Sequence, residues 1–209
     1  MTLVEVVVVI VILGILAAIL LPALAPHHCT CQKINCVNNL KQIGLAYRIF
    51  AGDHNDKYPM QVSIGDTNGS GTMELATGTN AWVNYAVMSD ELSTPKVVIC
   101  PQDTKSVLAT NFGSSFNNSN VSYFVGLNAN QDHPQMILSG DDNFAIGGIP
   151  VKSGLLEFPT NAPISWTAAR HKFAGNICLV DCSVESVTIA GLTNLLHQTG
   201  VATNRLAIP

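Results

Sequence analysis

The first 25 residues form an almost unbroken apolar run, which constrains the fold more than any other feature of the chain. The run begins MTLVEVVVVI and continues as VILGILAAILLPALA, with Glu5 as its single charged residue. A membrane-crossing helix needs about 20 apolar residues, and Val6 to Ala25 supplies that length. A secretory signal would instead begin with a basic residue, whereas the first Lys or Arg here is Lys33. The sequence therefore predicts a hydrophobic transmembrane helix over residues 1–25.

The rest of the chain has the composition of a polar folded domain. The mean hydropathy of +0.30 comes largely from the apolar run, while only 11% of all residues are charged and the net charge is -4. A protein that binds nucleic acid by neutralising phosphates needs a basic surface. No specific nucleic-acid partner is expected. Residues 65–79 and 111–122 are rich in Gly, Ser, Thr and Asn, which predicts exposed polar loops.

The pattern of Thr2, Glu5, the apolar run, Gly14 and Pro22 resembles the mature N-terminus of type IV pilins and of the pseudopilins of type II secretion. The resemblance implies that a leader has been removed and that Met1 is the N-methylated first residue, where the family usually has Phe. It also implies a precursor in the bacterial inner membrane, processing by a prepilin peptidase, and assembly by the pilus machinery into an extracellular, cell-surface filament of identical subunits.

The resemblance gives Glu5 a physical role. In the family its carboxylate is thought to meet the N-terminal ammonium group of a neighbouring subunit, which neutralises two charges inside an apolar core and sets the register between subunits. The resemblance also implies that the helix unwinds between Gly14 and Pro22 in the filament, as family filaments often show. Proline removes a backbone donor and glycine lowers helix propensity, which is consistent with that expectation.

A second resemblance covers the remainder. The stretch CVNNLKQIGLAYRIFAGDHNDKYP and the later RHKFAGNICLVDCSVE are similar to a subgroup of pilin-like proteins with a histidine, nine residues and Asp-Gly near the C-terminus. His171 and Asp181 fit that motif, although Cys182 replaces the glycine. In the first stretch, apolar residues at helical spacing predict the amphipathic second half of a long helix broken near Pro26; they are Leu40, Ile43, Tyr47 and Phe50.

The histidine–aspartate motif is not interpreted as catalytic. ICLVD followed by CSVESVTI predicts two short strands around a tight turn, in which Asp181 bonds its own backbone. His171 could connect this hairpin to the rest of the domain, but nothing nearby in the sequence supplies a nucleophile with an activating base. The chain is predicted not to be an enzyme.

No cofactor is expected, but two clusters leave a metal open. Asp132, Asp141 and Asp142, with Asn143 beside them, provide oxygen ligands, as in the calcium loop of secretion pseudopilins, without the EF-hand spacing. His27 and His28 precede two cysteines in PHHCTC, a set that could bind a transition metal or haem iron. The haem attachment motif CxxCH is absent.

The six cysteines permit fifteen pairings if all are oxidised. The resemblance to the pilin-like subgroup implies a disulfide between Cys36 and Cys100, positions where that class often has cysteine. Cys178 and Cys182 flank a turn and could close across the hairpin if their side chains share a face.

Cys29 and Cys31 remain. On a regular helix they point about 200° apart and cannot bond each other. In the pilus that the resemblance implies, this segment lies near the copies from neighbouring subunits. Cys29 of one subunit is therefore predicted to bond Cys31 of another and so to staple the filament.

The predicted architecture is α+β, with a long N-terminal helix, broken near Pro22 to Pro26, packed on a C-terminal antiparallel sheet as in pilins. Residues 1–25 form the hydrophobic transmembrane and filament-core helix, residues 26–52 its amphipathic second half, and residues 53–209 a β-rich head. The predicted function is that of a major pilin, a structural subunit of a filament. Two alternatives remain: a type II secretion pseudopilin, and a metal- or haem-loaded filament that transfers electrons.

Overall fold

The computed structural model describes residues 3–23, 28–66, 71–75 and 80–209, with the backbone alone for residues 19–23 and 28–31. The chain divides into two compact units, Met1–Cys31 and Gln32–Pro209. The first unit contains helix α1 (Leu3–Ala23), and most of helix α2 (His28–Asp53) belongs to the second.

Helix α1 is apolar on every side. All its described side chains, from residue 3 to residue 18, are exposed, and among the large apolar ones the exposed fraction runs from 42% at Val6 to 81% at Leu3. The helix continues through Gly14 and Pro22 to Ala23. The melting between Gly14 and Pro22 that the resemblance implies for the assembled filament stays a prediction. Among the described residues, no helix is both long enough and apolar enough to cross a membrane.

The predicted fold, a long N-terminal helix broken near Pro22 to Pro26 and packed on one antiparallel sheet as in pilins, is wrong. The described residues contain no long apolar helix of the predicted kind. Pro26, at the predicted break, lies outside the described residues. The described strands form two sheets rather than one. The fold is mixed α+β.

Helix α2 supplies the first layer of the head. The apolar face predicted from its spacing is confirmed, because the four side chains of that face are at most 1% exposed; they are Leu40, Ile43, Tyr47 and Phe50. Lys41 and Arg48 carry charge on the same helix outside this face. The period of 3.6 residues thus decides which side of α2 enters the core.

The second layer is a six-stranded antiparallel sheet with strand order β5-β9-β1-β2-β7-β8. Its strands are β1 (Tyr123–Gly126), β2 (Ile137–Asp141), β5 (Gly154–Pro159), β7 (Gly175–Leu179), β8 (Val184–Val187) and β9 (Thr203–Ile208). Strand β9 lies between β5 and β1, although β9 follows both of them in the sequence.

Both faces of this sheet are buried, because alternate side chains enter different cores. Tyr123 and Cys178 join α2 in one core, whereas Phe124, Ile177 and Leu179 join a second core on the other face. Successive side chains of a strand point to opposite faces of the sheet. A sheet with apolar residues at consecutive positions therefore needs another layer packed on each of its two faces.

The second face is covered by a small sheet and helix α5 (Ile189–Gln198), whose side chains belong to the second core. The small sheet has the order β4-β3-β6, with β3 (Phe144–Ile146), β4 (Ile149–Pro150) and β6 (Ile164–Trp166). Gly147 and Gly148 join β3 to β4 with φ of 58° and 79°, values that a two-residue turn requires and that glycine adopts without strain. Two short helices precede the sheets, α3 (Ala81–Ala86) and α4 (Ser89–Leu92).

Candidate functional site

Helix α1 carries two of the residues predicted to drive assembly, Glu5 and Gly14, on its described and exposed surface. Glu5 lies in its first turn with an exposed side chain, and Gly14 lies in the middle of the helix. Pro22 belongs to the last turn of the helix, where only the backbone is described. Met1 lies outside the described residues, as do Pro26 and His27 and the side chains of His28, Cys29 and Cys31. Predictions that depend on those groups stay predictions.

In the head, four side chains from distant parts of the chain converge in one buried group, which we call the Cys-His-Asp cluster. Cys36 lies on α2, Cys100 follows a 3-10 turn at Pro95–Val98, Asp141 ends β2, and His171 lies in the segment after β6. Each offers one potential metal ligand, and all four ligand atoms lie within 4.8 Å of one another. The two cysteines form a disulfide with their Cα atoms 5.2 Å apart.

The histidine and the carboxylate of the cluster are in contact. His171 Nε2 lies 3.4 Å from Asp141 Oδ2 and 3.5 Å from Cys100 Sγ, and the side chains of His171 and Asp141 are fully buried. The backbone and side-chain amides of Asn176 donate to Asp141 Oδ2 at 2.7 and 2.8 Å. Among the described residues, Asp141 Oδ1 and His171 Nδ1 have no hydrogen-bond partner. Two buried polar atoms on the far sides of these groups therefore remain unsatisfied, which costs free energy of folding.

The backbone that carries His171 has an unusual conformation. His171, Lys172 and Phe173 all have positive φ, at 51°, 51° and 62°, a region that non-glycine residues rarely adopt. The Asn143 side-chain amide clamps this segment by donating to the Arg170 carbonyl at 3.1 Å and to the Ala174 carbonyl at 3.3 Å. The surrounding structure thus holds three strained residues in place and fixes the position of the imidazole.

Beside the cluster, the buried Arg170 guanidinium neutralises two carboxylates. It contacts Asp103 Oδ2 at 3.6 Å, pairs closely with Asp142, and donates to the Ser122 carbonyl at 2.9 Å. Burial opposes ionisation of Asp103, but a hydrogen bond from Ser106 and the charge of Arg170 outweigh burial and hold its pKa below the ordinary value. Asp103 is therefore an ionised partner that stabilises the folded state.

A pocket of about 390 Å³ opens next to this network and is lined by polar loop residues together with Phe144. Its charged lining includes Arg170, Asp103 and Asp142, which already pair with one another. This pairing favours a structural role for the charges.

The three aspartates predicted as a calcium site are not brought together. Asp141 enters the Cys-His-Asp cluster, Asp142 pairs with Arg170, and Asp132 is exposed in a loop. Asp141 and Asp142 are neighbours at the end of a strand, where successive side chains point in opposite directions. Because the two residues are adjacent in the sequence, their carboxylates point to opposite sides of the strand and cannot bind one ion together.

The cysteines of the C-terminal hairpin are free thiols, so the Cys178–Cys182 bond is not formed. In the hairpin register Cys178 pairs with Val184, while Cys182 lies in the turn. Burial raises the pKa of both thiols, which makes them poor nucleophiles. Asp181 lies in the same turn and accepts a hydrogen bond from the Ser183 amide at 2.8 Å, as the sequence predicted.

Sequence reasoning missed the residues that hold the cluster in place. Asn143, Arg170 and Asn176 are ordinary polar residues in the sequence, and their roles come from contacts across 27 to 48 positions of the chain. Two sequence features could have indicated these roles: Arg170 directly precedes the motif residue His171, and Asn143 directly follows two aspartates. Comparison with protein-family models, curated proteins and solved structures finds no match to this chain.

Proposed function

We propose that this chain is a structural subunit that assembles with copies of itself through helix α1, in the manner of type IV pilins. The single observation that carries the proposal is that α1 exposes large apolar side chains on every side. A helix that is apolar all round belongs in a buried environment, and exposed apolar surface of this extent marks an interaction site.

The occupant of this surface is a second copy of the same chain. Each copy brings an equivalent apolar helix, and a helix that is apolar on every side can contact several neighbours at once. Fully burying a Val, Leu or Ile side chain contributes about 1.5–3 kcal/mol. The side chains between Val7 and Leu16 are about half exposed, so each would contribute roughly 1 kcal/mol on association.

Glu5 sets the register in this proposal. Its position in the first turn of α1 brings its carboxylate to the level of a neighbour's N-terminal ammonium when parallel helices are offset along their axes. Removing one member of such a buried pair costs about 3–5 kcal/mol, because a buried charge then lacks compensation. The proposal includes the inner membrane, the prepilin peptidase and the assembly machinery as earlier partners, and a cell-surface filament as the final location.

A pilus role is favoured over the secretion alternative because the three candidate calcium ligands lie apart, with Asp142 paired to Arg170. It is a structural rather than an enzymatic role.

The test compares two glutamates. Cells producing Glu5→Ala should insert the protein in the membrane normally and make few fibres, whereas Glu185→Ala, which removes an exposed glutamate of β8, should leave fibre yield unchanged. Electron microscopy of sheared fibres and immunoblots of membranes measure the two quantities. Wild-type fibre yield from Glu5→Ala cells would overturn the pairing mechanism, and absence of any fibres from wild-type cells would overturn the structural role.

A second candidate function, metal binding by the head, is favoured by one observation: four ligand groups converge in the Cys-His-Asp cluster. Calcium takes six to eight oxygen ligands, which this cluster does not offer, and the haem attachment motif is absent from the sequence. Cysteine sulfur, histidine nitrogen and aspartate oxygen are each ligand types that zinc takes in proteins, and the four groups equal the coordination number of a tetrahedral zinc site. Metal analysis of the purified chain, with and without prior reduction, tests this function.

A further inference from the structure

We infer that the Cys36–Cys100 disulfide and a zinc ion are alternative occupants of the Cys-His-Asp cluster, so that the oxidation state of the cysteine pair controls metal binding. The inference rests on the second proposed function, metal binding by the head. Zinc binds thiolate sulfur, and a sulfur atom already bonded to another sulfur has no thiolate charge to offer. The cluster can therefore hold the disulfide or the metal ion, but not both.

The non-sulfur half of the zinc site is already in place. Asn176 holds Asp141 by two hydrogen bonds, and the His171 amide donates to Gln102 Oε1 at 3.1 Å. Asn143 clamps the backbone on both sides of the histidine. None of these contacts involves a cysteine, so the imidazole and the carboxylate keep their positions when the disulfide opens.

Two distances from His171 match those of a tetrahedral zinc site. Zinc lies about 2.05 Å from nitrogen, 2.1 Å from oxygen and 2.3 Å from sulfur, so two tetrahedral ligands are separated by about 3.4 Å for nitrogen and oxygen and by about 3.6 Å for nitrogen and sulfur. His171 Nε2 lies 3.4 Å from Asp141 Oδ2 and 3.5 Å from Cys100 Sγ. The two sulfurs, which are bonded to each other in the disulfide, have to separate to about 3.8 Å to bind the same ion.

A separate contact keeps the cysteines close after reduction. The Asn39 side-chain amide, one helical turn after Cys36, donates to the Ile99 carbonyl at 2.9 Å, and Ile99 directly precedes Cys100. This hydrogen bond joins α2 to the Cys100 segment independently of the disulfide. The two thiols therefore stay within reach of one ion.

The chemistry balances with a thiol as the reductant. Two thiol molecules reduce the disulfide by two electrons, giving two cysteine thiols and one external disulfide. Zinc then displaces the two thiol protons to solvent and binds two thiolates, one neutral imidazole and one carboxylate. Oxidation of the thiolates by an external disulfide reverses both steps and releases the ion.

The test uses the full chain in mild detergent with Cys29→Ser and Cys31→Ser, which removes two thiols outside the cluster. One sample is kept oxidised; the other is reduced with a phosphine, which becomes a phosphine oxide with oxygen from water and does not compete for zinc. Both receive zinc and are freed of excess ion by gel filtration. Bound zinc is measured by mass spectrometry, and cobalt in place of zinc reports thiolate ligation by its charge-transfer absorption.

The inference predicts one zinc ion per reduced chain and none per oxidised chain. His171→Ala should weaken binding by more than about tenfold, whereas His133→Ala, which alters an exposed histidine, should not. Equal binding by both oxidation states would overturn the inference and leave metal binding standing, and binding by neither would overturn metal binding itself. Unchanged binding in His171→Ala would place the ion elsewhere and also overturn the inference.

The folded state of the chain is measured as a second readout, because a reduced chain or a variant that unfolds would also fail to bind zinc. Circular dichroism should then show that zinc restores the folded signal of the reduced chain but not that of reduced His171→Ala, because ligand binding to the folded state stabilises that state. A reduced chain that stays unfolded with zinc would overturn the inference.

Discussion

Removing the Cys36–Cys100 disulfide should lower the stability of the head by an amount that follows from loop length. The two cysteines are 64 positions apart. Closing a loop of that length removes about 14 cal/mol/K of entropy from the unfolded chain, which is about 4 kcal/mol at 25 °C. For a protein of this size, 1 kcal/mol shifts the melting temperature by about 2–4 °C, so the expected loss is roughly 8–16 °C.

The perturbation is the double variant Cys36→Ala and Cys100→Ala, and its control is Cys178→Ala with Cys182→Ala, which removes two free thiols from the same head. Thermal unfolding of the full chain in detergent is followed by near-ultraviolet circular dichroism, which reports on the buried Trp166. The control should lose only the packing of two sulfur atoms. If the first variant melts no lower than the control, then the disulfide does not restrict the unfolded chain and the argument from loop length fails.

Three further predictions concern other parts of the chain. A Cβ at Gly44 would lie 3.0 Å from a cysteine sulfur, so Gly44→Ala should lower the free energy of unfolding by about 1–3 kcal/mol. Gly52→Ala, on the same helix with open space around it, should instead raise it by about 0.5–1 kcal/mol; the reverse order in chemical denaturation would refute the packing argument. The pKa of Asp103 is lowered from 3.8, so its stabilisation is complete above that pH and is lost as the pH falls through its lower folded-state value. Melting temperatures between pH 6 and pH 2 should therefore fall less steeply in Asp103→Asn than in wild type, and parallel curves would contradict this. Cys29 and Cys31 should link neighbouring subunits, giving oligomer ladders in detergent electrophoresis that a thiol reductant collapses; monomers without reductant would exclude the staple.

The parts of the fold that sequence predicted are those in which contacts are local. The apolar side of α2 follows from residues three and four positions apart, and the Ser183–Asp181 turn from residues two positions apart. Helical periodicity determines which side chains share one face of α2, so Leu40 and Phe50 were predicted correctly to lie in the core.

The remainder depends on contacts that no local pattern specifies. The second sheet was missed because β3 and β4 are only three and two residues long, too short for alternation to be recognised. The Cys-His-Asp cluster joins positions up to 135 apart along the chain, from Cys36 to His171, and depends on a left-handed segment that has no glycine.

Strand β9 is the last strand of the large sheet in the sequence, yet it lies inside that sheet between two earlier strands. Thr203–Ile208 lies between β5 and β1 and pairs with both. Until this strand has been synthesised, the hydrogen-bonding edges of β5 and β1 that it will join have no partner, and such edges are prone to misassociate. Pairing of strands far apart in the sequence is also slow. The large sheet can therefore be completed only after Thr203–Ile208 has been synthesised, and a chain that stops before residue 203 should leave β5 and β1 without the strand that joins them.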